Sequence, residues 1–468
     1  MARRTFLCRL IFCAVFSASI VNIFTHSSSP SFFLRYSKPA ALHHHEQVSC
    51  SQAEVADDVL IVLRTGATES REKLPVHFQT TLRCVPHFVV FSDLDEEIDG
   101  HAVHDVLGGV SDDMKKEHDD FKLYRHLKEH GRQGLRDQQV MMTESGSSKG
   151  DYLNTENDGW KLDKWKFLPM VDQAYQHMPN AKWFVFIESD TFLSWHNLME
   201  YLSNFDANKP YYIGKHLYIN DIEFGYGGAG FILSNPAVRK VTEHRSVRVR
   251  DYEDFTATHW VGDCALGKVL EDIKIPLHRA FPHLQGDSPA TLDPATNKID
   301  RDAWCYPAVT YHHVSPSEIS ALWKFEQSWV KKHDGALLRH RDIFMEHVRP
   351  QIKSRLGEWD NMSADKEYTP ASYNADHRLN EIERNAWKSY DKCRELCESK
   401  SSCLQFSYRE KRCGISHTFR WGYKSEDGSV SSGWMLDRVD GLFAELEQKC
   451  GFRDWFSPHE GSTVQRRR

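Results

Sequence analysis

Trp183-Phe-Val-Phe-Ile187 runs directly into Glu188-Ser-Asp-Thr191, and Phe224-Gly-Tyr-Gly-Gly-Ala-Gly-Phe-Ile-Leu-Ser234 follows further along the chain. A short apolar run rich in aromatic and β-branched residues reads as a buried strand. When such a strand ends in carboxylates, it brings oxygen ligands to the carboxyl edge of a sheet, where open α/β sheets hold their ligands. Oxygen donors beside an open site suit a hard divalent cation, Mg²⁺ or Mn²⁺, shared with a substrate phosphate. The glycine cluster lets backbone approach a bulky ligand, because no Cβ stands in the way. Asp and Thr after a strand also cap helices, so each segment alone is ordinary. Their order and spacing together predict a ligand site.

The flanking sequence continues the pattern. Asp57-Asp-Val-Leu-Ile-Val-Leu-Arg-Thr-Gly66 and His87-Phe-Val-Val-Phe-Ser-Asp93 read as buried strands, with a helix-like stretch between them that ends near Cys84. That is a β-α-β unit, and it predicts a parallel sheet. Leu168, Val171, Tyr175 and Met178 have helical spacing closed by Pro179, and Pro169 sits awkwardly in that helix unless it lies in the first turn. A helix around residues 195–205 and the run Tyr211-Tyr-Ile-Gly214 extend the alternation. Residues 100–155 are charged and irregular, and predict an excursion with mobile parts.

After about residue 350 the composition changes. Residues 356–387 are polar and read as a linker. Cys393, Cys397, Cys403 and Cys413 then mark a small cysteine-stapled module, since so short a segment could hardly bury an adequate core unaided. The predicted organisation is therefore a tail and anchor (1–25), a stem (26–56) and an α/β catalytic domain (57–350). A linker (351–386), the stapled module (387–438) and a C-terminal tail (439–468) follow.

The net charge is −7, and the signs are interspersed. No basic stripe is present, which argues against a nucleic-acid partner. At the amino end Arg3, Arg4 and Arg9 precede fifteen uncharged residues, 10–24. The run passes Ser17-Ala-Ser19 without a clean small-residue cleavage site, so a retained signal-anchor is favoured over a cleaved signal peptide. Both put the rest of the chain in the secretory lumen. Of the eleven cysteines, Cys8 and Cys13 fall in the anchor, leaving nine. Clustered cysteines in a secretory chain read as disulfides, and the odd count leaves one free or a homodimer link open. The sequon Asn361-Met-Ser363 lies in a polar stretch and predicts an exposed, glycosylated loop.

Taken as a set, Lys182-Trp-Phe…Glu188-Ser-Asp-Thr191, Gly227-Gly-Ala-Gly-Phe-Ile-Leu-Ser234 and Ala308-Val-Thr-Tyr-His-His-Val314 resemble the fringe and core 1 β1,3-galactosyltransferase family. The resemblance spans roughly residues 57–327 and is closer to the core 1 branch, through Gly286-Asp-Ser288 and Cys305. It implies a GT-A-type, Rossmann-like, mainly parallel sheet flanked by helices in an inverting, type II Golgi enzyme that uses a UDP-sugar and Mn²⁺ or another divalent cation. By position, Asp190 and His312 correspond to the metal ligands, with His313 a substitute, and Asp263 to the catalytic base; a helix-capping role for Asp263 is the alternative. Thr65, Gly66, Asp93 and Glu188 fall on the nucleotide side, and Gly227, Gly228, Ala229 and Gly230 on the sugar and acceptor side. Trp260 offers a face for a sugar ring, or else packs in the core.

The resemblance also implies a disulfide at Cys84, with Cys50 as partner, and makes Cys264 and Cys305 a candidate pair. The family's acidic triplet has three aspartates, whereas Ser189 interrupts it here. The C-terminal cysteines resemble a PAN/apple module of α+β type. The expected reaction is transfer of galactose from UDP-galactose to a glycan or glycoprotein acceptor in β1,3 linkage. The alternatives are a fringe-like N-acetylglucosaminyltransferase and a catalytically silent glycan-binding or chaperone-like protein.

Overall fold

The computed structural model describes residues 50, 53–135, 155–298, 301–375, 378–425, 428–451 and 455. The expected anchor, the stem up to residue 49 and much of the C-terminal tail lie outside these residues. Among the described residues no helix is long and apolar enough to cross a membrane.

The chain opens with strand β1 (Val59–Arg64), helix α1 (Ser70–Gln79) and strand β2 (His87–Ser92). Every residue of β1 is buried, and alternate side chains serve opposite layers. Val59, Ile61 and Leu63 join one core with Trp195, Leu198 and Leu202, and Leu60 and Val62 join the other with Phe167, Met170 and Val171. A strand covered on both faces needs a continuous apolar run, which is what made this segment readable. A hairpin, β3 (Glu96–Ile98) and β4 (His101–Asp105), comes next, then helix α2 (Thr155–His177) and β5 (Trp183–Glu188).

The remaining strands of this half are β6 (Phe192–Leu193), β7 (Tyr212–Gly214), β8 (His216–Ile219), β9 (Ile222–Gly225), β10 (Phe231–Ser234) and β11 (Leu277–Arg279). Helix α3 (Trp195–Leu202) follows β6, and helix α4 (Gly262–Asp272) precedes β11. The central sheet has eight strands in the order β11-β7-β10-β5-β1-β2-β4-β3. Its centre, β5-β1-β2-β4, is parallel, and β10 and β3 run antiparallel to their neighbours. The β1–β5 register sets Arg64 beside Glu188, so the ends of β1, β2 and β5 share one edge.

Two expectations for this half are corrected. The part of 100–155 that is described is ordered structure, not an irregular excursion: β4 pairs with β2, and Leu107, Met114, Phe121 and Leu127 pack on Leu162 and Trp165 of α2. The apolar residues there are spread over short helices, too short for a period to emerge. Pro169 lies deep inside α2 rather than in its first turn, where burial of the flanking side chains offsets a missing hydrogen bond.

Beyond a small hairpin, β12 (Asn297–Lys298) and β13 (Arg301–Asp302), come strand β14 (Thr310–Tyr311) and helix α5 (Pro316–Lys332). A capping box between Ser315 and Glu318 starts α5.

The C-terminal region departs most from expectation. The supposed linker supplies β15 (Leu356–Gly357), β16 (Trp359–Asp360) and β17 (Lys366–Tyr368). Helix α6 (Tyr390–Ser399), β18 (Gln405–Arg409), β19 (Arg412–Ser416), β20 (Tyr423–Lys424), β21 (Ser431–Trp434) and helix α7 (Leu436–Lys449) complete the module. Its sheet runs β15-β21-β18-β19-β17, so the linker strands form both edges and the start of the supposed tail is a packed helix. Strands of two or three residues carry no readable alternation. Cys393–Cys413 and Cys397–Cys403 tie α6 to β19 and to the approach to β18.

The module is docked on the first half. Trp304 and Phe443 stack with parallel rings, and Phe344, Phe419, Trp421 and Trp434 share their cluster. Cys305 bonds to Cys450, not to Cys264, which is buried and free; Cys50–Cys84 is present. Cys264 is fully buried in the first turn of α4, whereas Cys450 follows the last residue of α7 and reaches Cys305. Asn361 is likewise not on an exposed loop. Its side-chain amide is buried and donates to the carbonyls of Phe406 (3.1 Å) and Gly433 (3.3 Å), so the folded sequon offers no acceptor nitrogen.

Candidate active site

The site is built where β5 and β1 end. Glu188 closes β5, and Ser189 and Asp190 form a turn held by the Thr191 N–H donating to the Glu188 carbonyl (3.0 Å). β14 then pairs antiparallel with β6, aligning Tyr311 with Phe192, and the Val314 N–H donates to the Asp190 carbonyl (3.0 Å). This brings residue 312 onto the acidic turn despite the long stretch of sequence between them. His312 is 4% exposed, with Nε2 3.1 Å from an Asp190 oxygen and 3.6 Å from a Glu188 oxygen. His313 adopts the left-handed conformation (φ 56°) and its ring sits 3.8 Å from that of His312. Donor atoms of Asp190, His312 and His313 all lie within 4.8 Å of one another.

Positive charge converges on these carboxylates. Lys73, on α1, lies 3.3 Å from Asp190 and 2.7 Å from Glu69. Burial disfavours a charged imidazole at His312, but the Asp190 carboxylate overrides it and holds the group up to about 9. Burial also opposes ionisation of Glu188, and the Arg64 guanidinium with His312 outweighs it, bringing the carboxyl down to about 2. His313 is pushed down to about 4 by burial and by its charged neighbour. Two fixed carboxylates that demand cationic partners, with imidazole nitrogens facing them, are a donor set that fits a divalent cation such as Mn²⁺.

The glycine cluster has a steric function. Gly227–Gly230 form a turn, with the Gly230 N–H donating to the Gly227 carbonyl (2.9 Å) and Gly230 at φ 77°. The Thr191 and Thr310 hydroxyls donate to the carbonyls of Gly228 (2.9 Å) and Ala229 (2.6 Å). A Cβ at Gly228 would sit 2.2 Å from the His312 ring, and one at Gly227 would sit 2.7 Å from Phe167. These glycines therefore make room for the histidine as much as for any ligand.

Asp263 is 5% exposed in the first turn of α4. It is not the helix cap, because that position is Val261. The Gly227 N–H donates to its Oδ2 (2.9 Å) and the Cys264 N–H to its Oδ1 (2.9 Å). Burial pushes the Asp263 carboxyl up to about 7, against those N–H groups and the attraction of Arg64. A carboxylate poised near neutrality is suited to accepting a proton. Tyr226, one residue before Gly227, places its hydroxyl 3.2 Å from His312 Nδ1. Its phenol is raised by burial and by Glu188, Asp263, Asp190 and Asp287 together. One turn thus links the base candidate to the metal candidates.

Thr65, Gly66 and Asp93 lie at the neighbouring strand ends, and Asp93 is buried with partners from the chain itself. Its Oδ1 accepts from the Ala67 N–H (2.8 Å) and its Oδ2 pairs with Lys166 (2.8 Å), which also donates to the Thr65 carbonyl (2.7 Å). Asp93 therefore shapes the β1–α1 turn from beneath.

Sequence reasoning missed Glu69, Lys73, Arg64, Asp163 and Tyr226. Ser189, which interrupts the acidic triplet, donates its hydroxyl to the Glu69 carboxylate (2.9 Å), so the residue just before α1 returns a carboxylate to that position. Arg64 pairs with both Glu188 and Asp163, and Phe167 lies under its guanidinium at 4.2 Å. The i,i+4 spacing of Glu69 and Lys73 was the available signal, but it fixes no direction. A separate cleft of about 700 Å³, lined in part by His104, Asp172, His177 and Arg245, contains none of these residues.

Residues 54–286 match the family described as Fringe-like. The chain is also similar to glycoprotein-N-acetylgalactosamine 3-beta-galactosyltransferase 1 of Xenopus laevis. The two are 32% identical over 180 residues, covering 34% of this chain and 50% of the relative. The chain thus spans about half the length of that relative. His312 and His313 lie beyond the family match, so their place in the site rests on the geometry above.

Proposed function

We propose that this chain, which belongs to the Fringe-like family through residues 54–286, is an inverting β1,3-glycosyltransferase. Its donor is a UDP-hexose, UDP-galactose first, and its acceptor a glycan or glycoprotein. The observation that carries this reading is the convergence of Asp190, His312 and His313 on one point, with Asp263 joined to them through the Tyr226–Gly227 turn. On this reading the first half is a GT-A domain and the C-terminal half a PAN/apple-like module. The apolar run near the N-terminus anchors a type II Golgi protein.

A divalent cation held by Asp190 and His312, with His313 beside them, would neutralise the diphosphate as it leaves. The chain's own residues do the rest. Asp263 takes the acceptor hydroxyl proton onto its carboxylate as that oxygen bonds to the anomeric carbon and the bond to UDP breaks on the opposite face. The Gly227 and Cys264 N–H groups hold that carboxylate still. Arg64 keeps Glu188 ionised and in place, and Tyr226 fixes the ring of His312.

The catalytically silent alternative drew on the interrupted triplet, and the Glu69 carboxylate at Ser189 removes much of its force. The test is transfer and UDP release by the lumenal fragment across a donor panel with Mn²⁺, alongside Asp190→Ala and Asp263→Ala. Both variants are expected to lose transfer. Full activity in both would reject the reading.

A further inference from the structure

Two tryptophans on the rim of the site have no part in the chemistry above. Trp160 is 45% exposed and Trp260 is 41% exposed, and their rings stack at 6.4 Å with 29° between planes. Large aromatics left this open are unusual, and an adjoining pair marks a binding surface more often than a lone one.

Their placement follows from the two helices that build the site. On α2, Trp160, Asp163, Lys164 and Phe167 share one face by helical spacing. Asp163 pairs with Arg64, and the Phe167 ring lies against Arg64 and against where a Cβ at Gly227 would stand. The Lys164 carbonyl would sit 2.3 Å from a Cβ at Gly262, which lets α2 and α4 touch beside Asp263. Trp160 is therefore the outermost member of the stripe of α2 that faces the site. Trp260 comes three residues before Asp263, a span of at most about 11 Å.

We infer that Trp160 and Trp260 form an acceptor subsite that stacks on the apolar face of a pyranose ring in the acceptor glycan. The inference rests on the glycosyltransferase reading and adds where the acceptor lies. A pyranose presents one face of C–H groups whose positive edges meet the negative face of an indole. Burying that face also removes apolar area from water. A rigid pair of indoles loses little freedom on binding. The proposed donor contacts run through Asp190 and His312, so UDP binding is expected to stay unchanged when either indole is removed.

The test uses the chain loaded with Mn²⁺ and UDP, titrated with a panel of methyl hexosides and methyl N-acetylhexosaminides and read by saturation-transfer NMR. At least one glycoside binds, with saturation strongest on its ring C–H protons. Trp160→Ala and Trp260→Ala each weaken it about tenfold or more, while Trp160→Phe and Trp260→Phe keep most of the affinity and the Kd for UDP stays unchanged. Binding of no glycoside, or equal binding by the alanine variants, overturns the subsite. Binding instead to an unglycosylated peptide would assign the pair to the protein part of an acceptor and also overturn it. Failure of UDP itself to bind would instead count against the transferase reading.

Discussion

The carboxyl edge of the sheet and the docked C-terminal module are held together in opposite ways. At the edge, Arg64, Lys73, Lys166 and His312 are interleaved with Asp93, Glu188, Asp190 and Asp163; Arg64, Lys166, Asp93 and His312 are buried and the others half-buried. In the module and its interface, buried Trp, Phe and disulfides form the core, and ion pairs such as Arg341–Glu447 and Arg349–Asp440 lie at its more exposed margin. Burying ions costs solvation that pairing only partly returns, so the edge is the expensive solution. A protein keeps such an arrangement where the charges have work to do. The module, which bears none of the proposed chemistry, is stapled by disulfides around an aromatic core.

The contrast breaks most visibly at Asp263. Asp263→Asn should lower the transfer rate about 10³-fold with UDP affinity little changed, measured by steady-state kinetics and calorimetry. Arg64→Met should act on stability as well as on transfer. It leaves Glu188 and Asp163 without their shared cation, at a cost of about 3–5 kcal/mol in denaturant unfolding. In the module the matching lesion is the double variant Cys305→Ser/Cys450→Ser. Loss of this cross-link should cost about 2–4 kcal/mol and loosen the module while leaving the transfer rate near that of the parent chain.

Smaller effects sharpen the comparison further. Asp263 must be ionised to accept a proton, and its carboxyl lies up at about 7. Transfer should therefore fall about tenfold per pH unit below that point and level off above it, and Asp263→Asn should abolish the dependence. At the module, Asn361→Gln should leave unchanged the mass that the chain loses on glycosidase treatment, because the parent amide is already committed to Phe406 and Gly433.

The same contrast explains what could be read from the residues alone. β1, β2 and β5 are covered on both faces, so each appears as an unbroken apolar run, and the polar residues that end them mark the edge. His312 was reachable because its neighbours resembled a known pattern. The supporting ions were not. Lys73 meets Asp190 across 117 residues and Arg64 meets Glu188 across 124, and nothing local in a lysine or arginine says which carboxylate it will find. The module failed for a different reason. Its edge strands span two or three residues in a polar stretch, and Cys450 pairs over 145 residues with Cys305, a choice that spacing cannot make.

The central claim is that Asp190 and His312 hold a cation that binds the diphosphate of a sugar nucleotide. Its most direct test is the affinity of the chain for UDP by titration calorimetry, with and without Mn²⁺, in the parent and in Asp190→Ala. The account predicts that Mn²⁺ tightens UDP binding strongly in the parent and has no effect in the variant. Equal affinity in all four titrations would contradict it.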